Sequence, residues 1–327
     1  MNSLEDSLIQ KIEKTTKSGK PKGSLRLGLG DDAALWAPRL GYEIVLTCDW
    51  FLEGTHFLRN TRPDSVGWKC LARALSDVAA MGGAPKCFLL SLALPRSYTG
   101  RWLGQFLAGL RRASRRFDCQ LVGGDTTRRD RILINVMVLG EVRAGEALLR
   151  SGAKAGDLIF VSGRLGEAEC GWSSLLRGRN ASLRNSRSVR KHLYPDPRLA
   201  LGQWLAKNRI AASMMDLSDG LSSDLPRLCA ASGVGALIDS GKIPSAKPAE
   251  SRHLTAANRL APALNGGDDY ELLFTVRPGE ARRVPPRFQG IPLTCIGEVT
   301  RKRLVQVVQA NGQKKSLIPG GWDPFRG

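Results

Sequence analysis

The sequence predicts an α+β protein of two domains, and three observations support this. The chain has 327 residues, which is too long for one ordinary core and suits two domains of about 150 residues each. Hydrophobic residues make up 42% and charged residues 24% of the chain, enough apolar surface for packed cores. Helix and strand patterns alternate and restart near residues 143–150. We therefore place a boundary there and expect domains over 1–145 and 146–327.

The spacing of apolar residues defines the elements of the first domain. Segments with a helical period and a glycine stop predict helices, and short apolar runs predict strands. The predicted elements are a helix over 4–14, a strand over 42–51, a helix over 63–83, a strand over 86–95, a helix over 99–117, a short strand in CQLVGGDTT and a long β-rich run over 131–142.

The second domain shows the same alternation of strands, glycine turns and helices, without a strict sequence repeat. Its first segment, SGAKAGDLIFVSGRLGEA, predicts a turn, a strand, a glycine loop and a helix. The segment AASMMDLSDGLSSDLPRLCAASGVGALID predicts a strand, an acidic turn, a helix and a second strand. The runs NGGDDYELLFTV and LTCIGEVT each predict a strand, the first of them after a glycine turn with acids. These elements make the second domain α/β in content.

The chain is strongly basic, with 49 Lys and Arg against 30 Asp and Glu and a formal charge of +19. A polyanionic partner such as nucleic acid is one explanation, and a basic solvated surface is the favoured one. The densest basic block, residues 177–191, is rich in Ser and Asn and is interpreted as a loop or a frayed helix end. It lacks the interleaved aromatic residues of a nucleic-acid groove.

Cysteine usage and hydropathy favour a cytoplasmic protein with no membrane segment. The seven cysteines are scattered and include no CxxC pair, which fits neither a zinc site nor a disulfide framework. No run of 18 or more apolar residues exists, and the N-terminus lacks the apolar core of a secretory signal.

Carboxylates are concentrated at glycine turns and at the ends of predicted strands. Acids that converge without His or Cys suit a hard cation, Mg²⁺ or Mn²⁺, together with substrate phosphates. Taken singly, each acid is more typical of a turn residue or a helix N-cap, so only the set carries the prediction. The set comprises Asp31, Asp32, Asp49, Asp77, Asp125, Asp216, Asp219, Asp268 and Asp269.

Well-known nucleotide-binding signatures are missing from the sequence. It contains no GxxxxGK[ST] and neither HRD nor DFG, which excludes the P-loop and protein-kinase scaffolds. The segment GRLGEA is glycine-rich but too short to indicate a dinucleotide site.

The order of longer motifs resembles the thiamine-monophosphate kinase family over essentially the whole chain. These motifs are GLGDDAA, TCDWFLEGTHF, ALSDVAAMGGAP, LVGGDTT, RSGAKAGDLIFVSGRLG, DLSDGLSSDL, GGDDYELLF and GGWDPF. The resemblance implies the two-domain fold of the aminoimidazole ribonucleotide synthetase superfamily, with an N-terminal sheet that pairs into a dimeric barrel and a C-terminal α/β domain. It also implies that the N-terminal domain binds metal and ATP.

The resemblance further implies a homodimer that transfers the γ-phosphoryl group of ATP directly to thiamine monophosphate, with several Mg²⁺ ions and no phosphoenzyme. This is the final step of thiamine diphosphate formation. An ATP-dependent ligase or cyclase of the same superfamily is the alternative enzyme, and a basic nucleic-acid-binding protein is the alternative outside enzymes.

Site residues follow from the resemblance, position by position. The implied Mg²⁺ ligands are Asp32, Thr47, Asp49, Asp77, Asp125, Asp216 and Asp219. The implied ATP-binding residues are Phe117, Gly124, Asp125, Arg150 and Ser218. The implied substrate-binding residues are His56, Asp268 and Trp322. From the sequence alone His56 would be interpreted as a packing or surface residue, and for Trp322 a role in covering the edge of a core is nearly as probable as stacking on substrate.

The chain departs from the family pattern at four positions. Phe117 stands where a tyrosine is frequent, so a phenolic hydrogen bond is lost. Cys48 stands where a hydroxyl residue is usual, and a thiol is a poor Mg²⁺ ligand. Asp268 replaces a glutamate and shortens the reach towards substrate, and Pro324 replaces a histidine.

Overall fold

The structure is a computed structural model that describes residues 4–16, 24–29, 33–177, 186–246 and 260–325. The chain divides into two compact units, Met1–Val78 with Gly83–Gly145 and Ala79–Gly82 with Glu146–Gly327. Within the described ranges, no helix is long and apolar enough to cross a membrane.

The N-terminal unit is a four-stranded sheet with helices. The sheet order is β3-β6-β4-β5, antiparallel except for the parallel pair β4 and β5, while β1 and β2 form a separate two-stranded sheet. Its elements are α1 (Leu4–Thr16), β1 (Leu25–Leu27), β2 (Leu35–Trp36), β3 (Tyr42–Leu52), α2 (Pro63–Ala80), β4 (Ala84–Leu94), α3 (Arg101–Arg116), β5 (Gln120–Arg128) and β6 (Leu133–Arg143).

The two faces of this sheet differ in exposure, as side chains alternate along each strand. On one face, Thr47 of β3 lies opposite the fully buried Val138 of β6, and α2 covers both. On the other face, Leu46 is 62% exposed and Trp50 is 55% exposed. This second face therefore leaves large apolar side chains in contact with solvent.

Helices α2 and α3 cross at two glycines. A Cβ at Gly67 would lie 2.0 Å from the carbonyl oxygen of Phe106, and a Cβ at Gly109 would lie 1.8 Å from that of Asp64. Only glycine permits so close an approach of the two backbones. The crossing holds α2 closely against α3, and α2 carries one of the predicted metal ligands, Asp77.

The C-terminal unit contains an eight-stranded sheet that is antiparallel except between β9 and β13. The order is β14-β13-β9-β12-β7-β10-β8, with β11 paired to β12. Its elements are β7 (Leu158–Ser162), α4 (Glu167–Leu176), α5 (Arg187–Leu193), α6 (Leu199–Lys207), β8 (Ala211–Leu217), α7 (Leu221–Ser232), β9 (Gly235–Asp239), α8 (Leu260–Asn265), β10 (Glu271–Val276), β11 (Arg287–Phe288), β12 (Ile291–Thr300), β13 (Val305–Val308) and β14 (Lys314–Ser316).

Both faces of this sheet are buried around its strand β10. On β10, Leu273 joins a core with α7 on one face, and Leu272 joins a core with α6 on the other. Burial on both sides explains the continuous apolar run LLF, which shows no polar alternation. Each fully buried Leu or Phe contributes about 1.5–3 kcal/mol to stability.

Most predicted elements are confirmed, with small shifts at their ends. The helix predicted over 63–83 ends at Ala80, before Gly82 with φ +70°. The basic block 177–191 is only partly as expected, because its last residues form α5 rather than a loop or frayed end. Residues 178–185 of the block lie outside the described residues, as do Asp31 and Asp32.

Candidate active site

Three predicted metal ligands lie between β3 and α2. The hydroxyl of Thr47 donates a hydrogen bond to Oδ2 of Asp77. Asp49, two residues along β3, points to the same face and pairs with Nε of Arg73 at 3.5 Å. Arg73 lies one helical turn before Asp77 on α2, so strand and helix spacing together bring hydroxyl and carboxylate oxygens to one place.

Cys48 lies on the opposite face of β3 from these oxygens. Its sulfur lies 3.1 Å from Nδ2 of Asn135 on β6, which also donates to the backbone carbonyl of Asp49 at 3.3 Å. The thiol therefore does not replace a hydroxyl beside Asp77.

Asp125 is also on this exposed face, since it is in register with Ser91 of β4, and Ser91 is in register with Asn135. The chain by itself does not bring the Asp125 side chain to the Thr47–Asp77 pair. Gly124 precedes it with φ +155°, and a Cβ there would lie 1.9 Å from the carbonyl oxygen of Leu90. Only glycine fits at this close approach of β5 to the backbone of β4.

His56 is held by the turn that follows β3. Its Nδ1 accepts the N–H of Leu52 at 3.0 Å, and its own N–H donates to the carbonyl of Leu52 at 2.9 Å. Because Nδ1 is an acceptor, the neutral ring carries its proton on Nε2. His56 is therefore an oriented, half-buried donor beside Phe51.

Phe117 is a core residue at the end of α3. Its ring is buried and meets Trp68 edge-on with centroids 5.3 Å apart. The structure thus places the aromatic ring predicted to contact adenine largely inside the N-terminal unit.

In the C-terminal unit the buried Asp216 lies near the end of β8, and the loop that follows carries two further predicted residues, Ser218 and Asp219. The buried carboxylate of Asp224 organises this loop, because its Oδ2 accepts the N–H groups of Asp219 and Gly220, each at 3.1 Å. Burial, followed by the charge of Asp219, raises the pKa of Asp224 to about 6 despite these bonds and Arg227. Arg227 contacts both Asp219 and Asp224.

Trp322 is attached to the same loop. Its N–H donates to the carbonyl of Asp219 at 2.9 Å, and the N–H groups of the two preceding glycines donate to Ser222 and Ser223. The indole is 46% exposed and lines a cavity of about 570 Å³ within this unit. The other walls are α4, the end of α8 and Gly266 and Gly267.

The two acids of GGDDYE have different surroundings. Asp268 has φ +66°, its Oδ1 accepts the hydroxyl of Tyr270 at 2.6 Å, and its Oδ2 lies 3.7 Å from Nδ1 of His192. Asp269 is buried and accepts the N–H groups of Gly166 and Ala168, at the start of α4. Burial raises the pKa of Asp269 to about 7. Asp268 thus follows Gly267 of the cavity wall and is bonded to Tyr270, whereas Asp269 caps a helix.

Glu271 is the centre of a buried charge network. Arg198 Nε lies 2.6 Å from its Oε2, Lys191 Nζ lies 2.5 Å from its Oε1, and the Ser162 hydroxyl donates to it at 2.6 Å. Burial alone would raise the pKa of Glu271, but the charges of Arg198 and Lys191 outweigh burial and lower it. This network joins β10, β7 and α5, and it accounts for Lys191 of the basic block.

The predicted residues therefore include one group between β3 and α2 in the N-terminal unit and another around the loop after β8 in the C-terminal unit. Arg150 is exposed, and its carbonyl accepts the Ser232 hydroxyl at 3.0 Å. In the part of the chain that the structure describes, no three acidic, His or Cys side chains converge closely enough to hold a metal ion without rearrangement. Asp32, predicted as a ligand, lies outside that part.

Comparison with known proteins decides the family. The AIR synthase related protein models match residues 30–142 for the N-terminal domain and 154–309 for the C-terminal domain. The thiamine-monophosphate kinase of Escherichia coli (strain K12) is 38% identical over 98% of this chain and 98% of its own. The chain belongs to the thiamine-monophosphate kinase family. The identification from the sequence is confirmed.

Solved structures of this family have the same fold. The crystal structure of the thiamine-monophosphate kinase from Stenotrophomonas maltophilia K279a is 35% identical, has a TM-score of 0.82, and covers 96% of this chain and 98% of its own. AaThiL complexed with AMPPCP and TMP is 33% identical, has a TM-score of 0.78, and covers 98% of this chain and 97% of its own. The two-domain AIR synthase-like fold is therefore confirmed.

Sequence reasoning missed the residues that support this kinase-family site from within the core. Asp224 and Glu271 both lie inside motifs that carry the family resemblance, DLSDGLSSDL and GGDDYELLF, but the resemblance implies no role for either residue. For Glu271 a signal existed, because a charged residue that begins an apolar strand requires a buried partner. Its partners Lys191 and Arg198 lie 80 and 73 residues away along the chain, so no local pattern could identify them.

Proposed function

We propose that the chain transfers the γ-phosphoryl group of ATP to thiamine monophosphate and releases thiamine diphosphate and ADP. The likeness to AaThiL in complex with AMPPCP and TMP carries this proposal, since it extends over 98% of the chain. The kinase named for relatives such as that of Escherichia coli agrees with it. The separate groups of oxygen donors and the cavity beside Trp322 supply the features that such a reaction requires.

The chain contributes positioning rather than covalent chemistry. A phosphate oxygen of thiamine monophosphate attacks the γ-phosphorus of ATP, and the bond from that phosphorus to the oxygen bridging to ADP breaks. In-line positioning and charge neutralisation account for most catalysis of this type. We assign the phosphate of thiamine monophosphate to the Nε2–H of His56, which the bond from Leu52 to Nδ1 leaves as the donor.

The donor set fits Mg²⁺. Thr47, Asp49 and Asp77 present hydroxyl and carboxylate oxygens, the hard ligands that Mg²⁺ prefers. The ions, when bound, supply positive charge to the phosphate oxygens. We further assign Asp32, Asp125, Asp216 and Asp219 as ligands. When no Mg²⁺ ion is bound, Arg73 neutralises the charge of Asp49, and Arg227 neutralises the charge of Asp219.

The nucleotide and the thiamine moiety are assigned to different residues. Gly124, Asp125, Arg150 and Ser218 hold ATP, with Arg150 as an exposed cation for phosphate and Phe117 as a packing residue. Trp322 stacks on the aromatic part of thiamine in the cavity of about 570 Å³, and Asp268 directly follows Gly267 of its wall. The exposed indole and the volume of the cavity support this assignment.

The exposed face of the N-terminal sheet is assigned to a second copy of the chain. Leu46 and Trp50 on β3 continue into Met137 and Leu139 of β6, which are half-buried. An apolar sheet face of this kind is typical of an interface. Pairing of two such sheets produces the homodimer and closes the barrel.

One assay tests the proposed reaction. Purified protein with ATP and Mg²⁺ is given thiamine monophosphate or thiamine, and products are separated by chromatography. We expect equal amounts of ADP and thiamine diphosphate from the first and no phosphorylated product from the second. A ligase or cyclase would leave thiamine monophosphate unchanged. Salt-sensitive RNA binding that survives Asp77→Asn, without turnover by the wild type, would favour the nucleic-acid alternative.

A further inference from the structure

The cavity beside Trp322 contains a carboxylate that no motif or comparison assigns. Glu169, in the first turn of α4, lines this cavity together with Trp322 and Asn265. The side chain is half-buried, and burial raises its pKa, with the charge of Asp268 adding to the effect. Glu169 and Asp268 are therefore close enough to influence each other.

The Glu169 side chain is held in place from two sides. The hydroxyl of Ser173, one turn further along α4, donates to its Oε1 at 3.1 Å. A Cβ at Gly266 would lie 2.6 Å from the Cβ of Glu169, so the backbone at Gly266 packs directly on the side chain. Contacts of this kind orient a carboxylate before any ligand arrives.

Glu169 has no cationic partner. Arg177 also lines the cavity but is exposed, and among the residues that the structure describes no Lys, Arg or His forms an ion pair with Glu169, although other buried carboxylates such as Glu271 are paired. A desolvated carboxylate without a counter-charge is costly, and a bound cation removes that cost. An indole face beside it favours a flat cation as well.

We propose that Glu169 selects the positively charged thiazolium ring of the substrate in this cavity. The inference rests on the proposed function, because it assigns the thiamine moiety to the same cavity. Thiamine monophosphate carries a permanent positive charge on its thiazolium ring, which matches a carboxylate and an aromatic face together. Glu169 is thus a specificity-determining residue for charge, and Trp322 supplies the stacking surface.

The experiment compares a cationic with a neutral substrate. Steady-state rates of wild type and Glu169→Gln are measured with thiamine monophosphate and with the monophosphate of 3-deazathiamine, whose thiophene ring is uncharged. Glutamine keeps the size of the side chain and removes only the charge. We expect KM for thiamine monophosphate to rise about tenfold with kcat nearly unchanged, and KM for the neutral analogue to stay the same.

Two results would overturn the inference. Either an unchanged KM for thiamine monophosphate or an equal rise for both substrates means that Glu169 does not sense the ring charge. Glu280→Gln, which removes a surface carboxylate paired with Arg283 in the same unit, is the matched control. Failure of the proposed function is a separate outcome, because the wild type then shows no turnover of thiamine monophosphate.

Discussion

The carbonyl oxygen of Asp219 accepts the backbone N–H of Trp322 at 2.9 Å. The bond connects the loop after β8 to the C-terminal segment, which lies about 100 residues further along the chain. A residue assigned to metal and a residue assigned to substrate are therefore fixed to each other directly. Movement of one displaces the other.

Substitution of Gly321 tests this connection without changing a functional group. A Cβ at position 321 would lie 2.1 Å from the carbonyl oxygen of Asp219 and 2.6 Å from the hydroxyl of Ser223. Gly321→Ala therefore separates Trp322 from the loop. We expect KM for thiamine monophosphate to rise about tenfold, in line with loss of a hydrogen bond and of stacking. KM for ATP, measured in the same variant, reports any displacement of Ser218 and Asp219 within the loop itself.

Gly279→Ala is the matched control, since a Cβ at Gly279 meets nothing within 4 Å. Its KM for both substrates should equal that of the wild type. If Gly321→Ala also leaves KM for thiamine monophosphate unchanged, Trp322 does not contact the substrate.

Removal of the Asp77 charge tests the group between β3 and α2. We expect Asp77→Asn to reduce kcat at least about a hundredfold, because one oxygen ligand loses its charge, while circular dichroism shows an intact fold. Thr47→Ser keeps the hydroxyl that bonds Asp77 and should retain activity, whereas Thr47→Val should not. Equal activity of the serine and valine variants would mean that the hydroxyl has no role.

The segment GLGDDAA gives a second test of the metal assignment. We expect Asp32→Ala to lower activity far more than Asp31→Ala, because the family resemblance assigns the ligand to Asp32 and leaves Asp31 as a turn residue. Titration of Mg²⁺ in each variant measures the difference as a shift in the concentration required for half-maximal rate. Similar losses in both variants would contradict the separation of the two acids.

The fold was largely predictable because its elements have strong local patterns. The alternating burial of β3 and the helical period of α2 are both visible in the sequence. Short strands such as β1 and β2 were missed, since two or three residues carry no period. Helix α5 was missed because its stabilising partner, Glu271, lies far away in the sequence.

The candidate site was predictable only where its residues belong to a recognisable sequence motif. Acids near glycine-rich segments identified Asp77 and Asp219 as candidate cation ligands, and the family resemblance implied their roles. Geometry then separated residues that the sequence treats alike: Asp268 is half-buried and accepts the Tyr270 hydroxyl, whereas Asp269 is buried and caps α4. Glu169 carries no sequence signal, because its significance depends on a cavity formed by distant segments.

The exposed sheet face predicts a measurable assembly. Leu46→Lys places a charge in the middle of the apolar face of β3 and should convert a dimer into a monomer, seen as a halved mass in light scattering after gel filtration. Leu40→Lys is the control, because Leu40 is fully exposed and lies in the turn before β3. A wild type that is monomeric at micromolar concentration would contradict the assignment of this face.

The Glu271 network predicts a stability that depends on pH in one direction. The pKa of Glu271 lies below its ordinary value of 4.5, so the folded state holds the ionised form more tightly than the unfolded state does. The resulting stabilisation is fully present above pH 4.5 and is lost as the pH falls further through the folded-state pKa. Glu271→Gln leaves Arg198 and Lys191 buried without the carboxylate that pairs with both, and should lower the free energy of unfolding by about 3 kcal/mol at pH 7.

The deficit of Glu271→Gln relative to wild type should therefore shrink when urea unfolding is repeated below pH 4.5, because protonation removes the same charge from the wild type. Glu280→Gln, at a surface pair, should differ from wild type by less than about 1 kcal/mol at either pH. A Glu271→Gln deficit that stays constant across this range would show that packing around the side chain, and not its charge, is what stabilises β10 against α5.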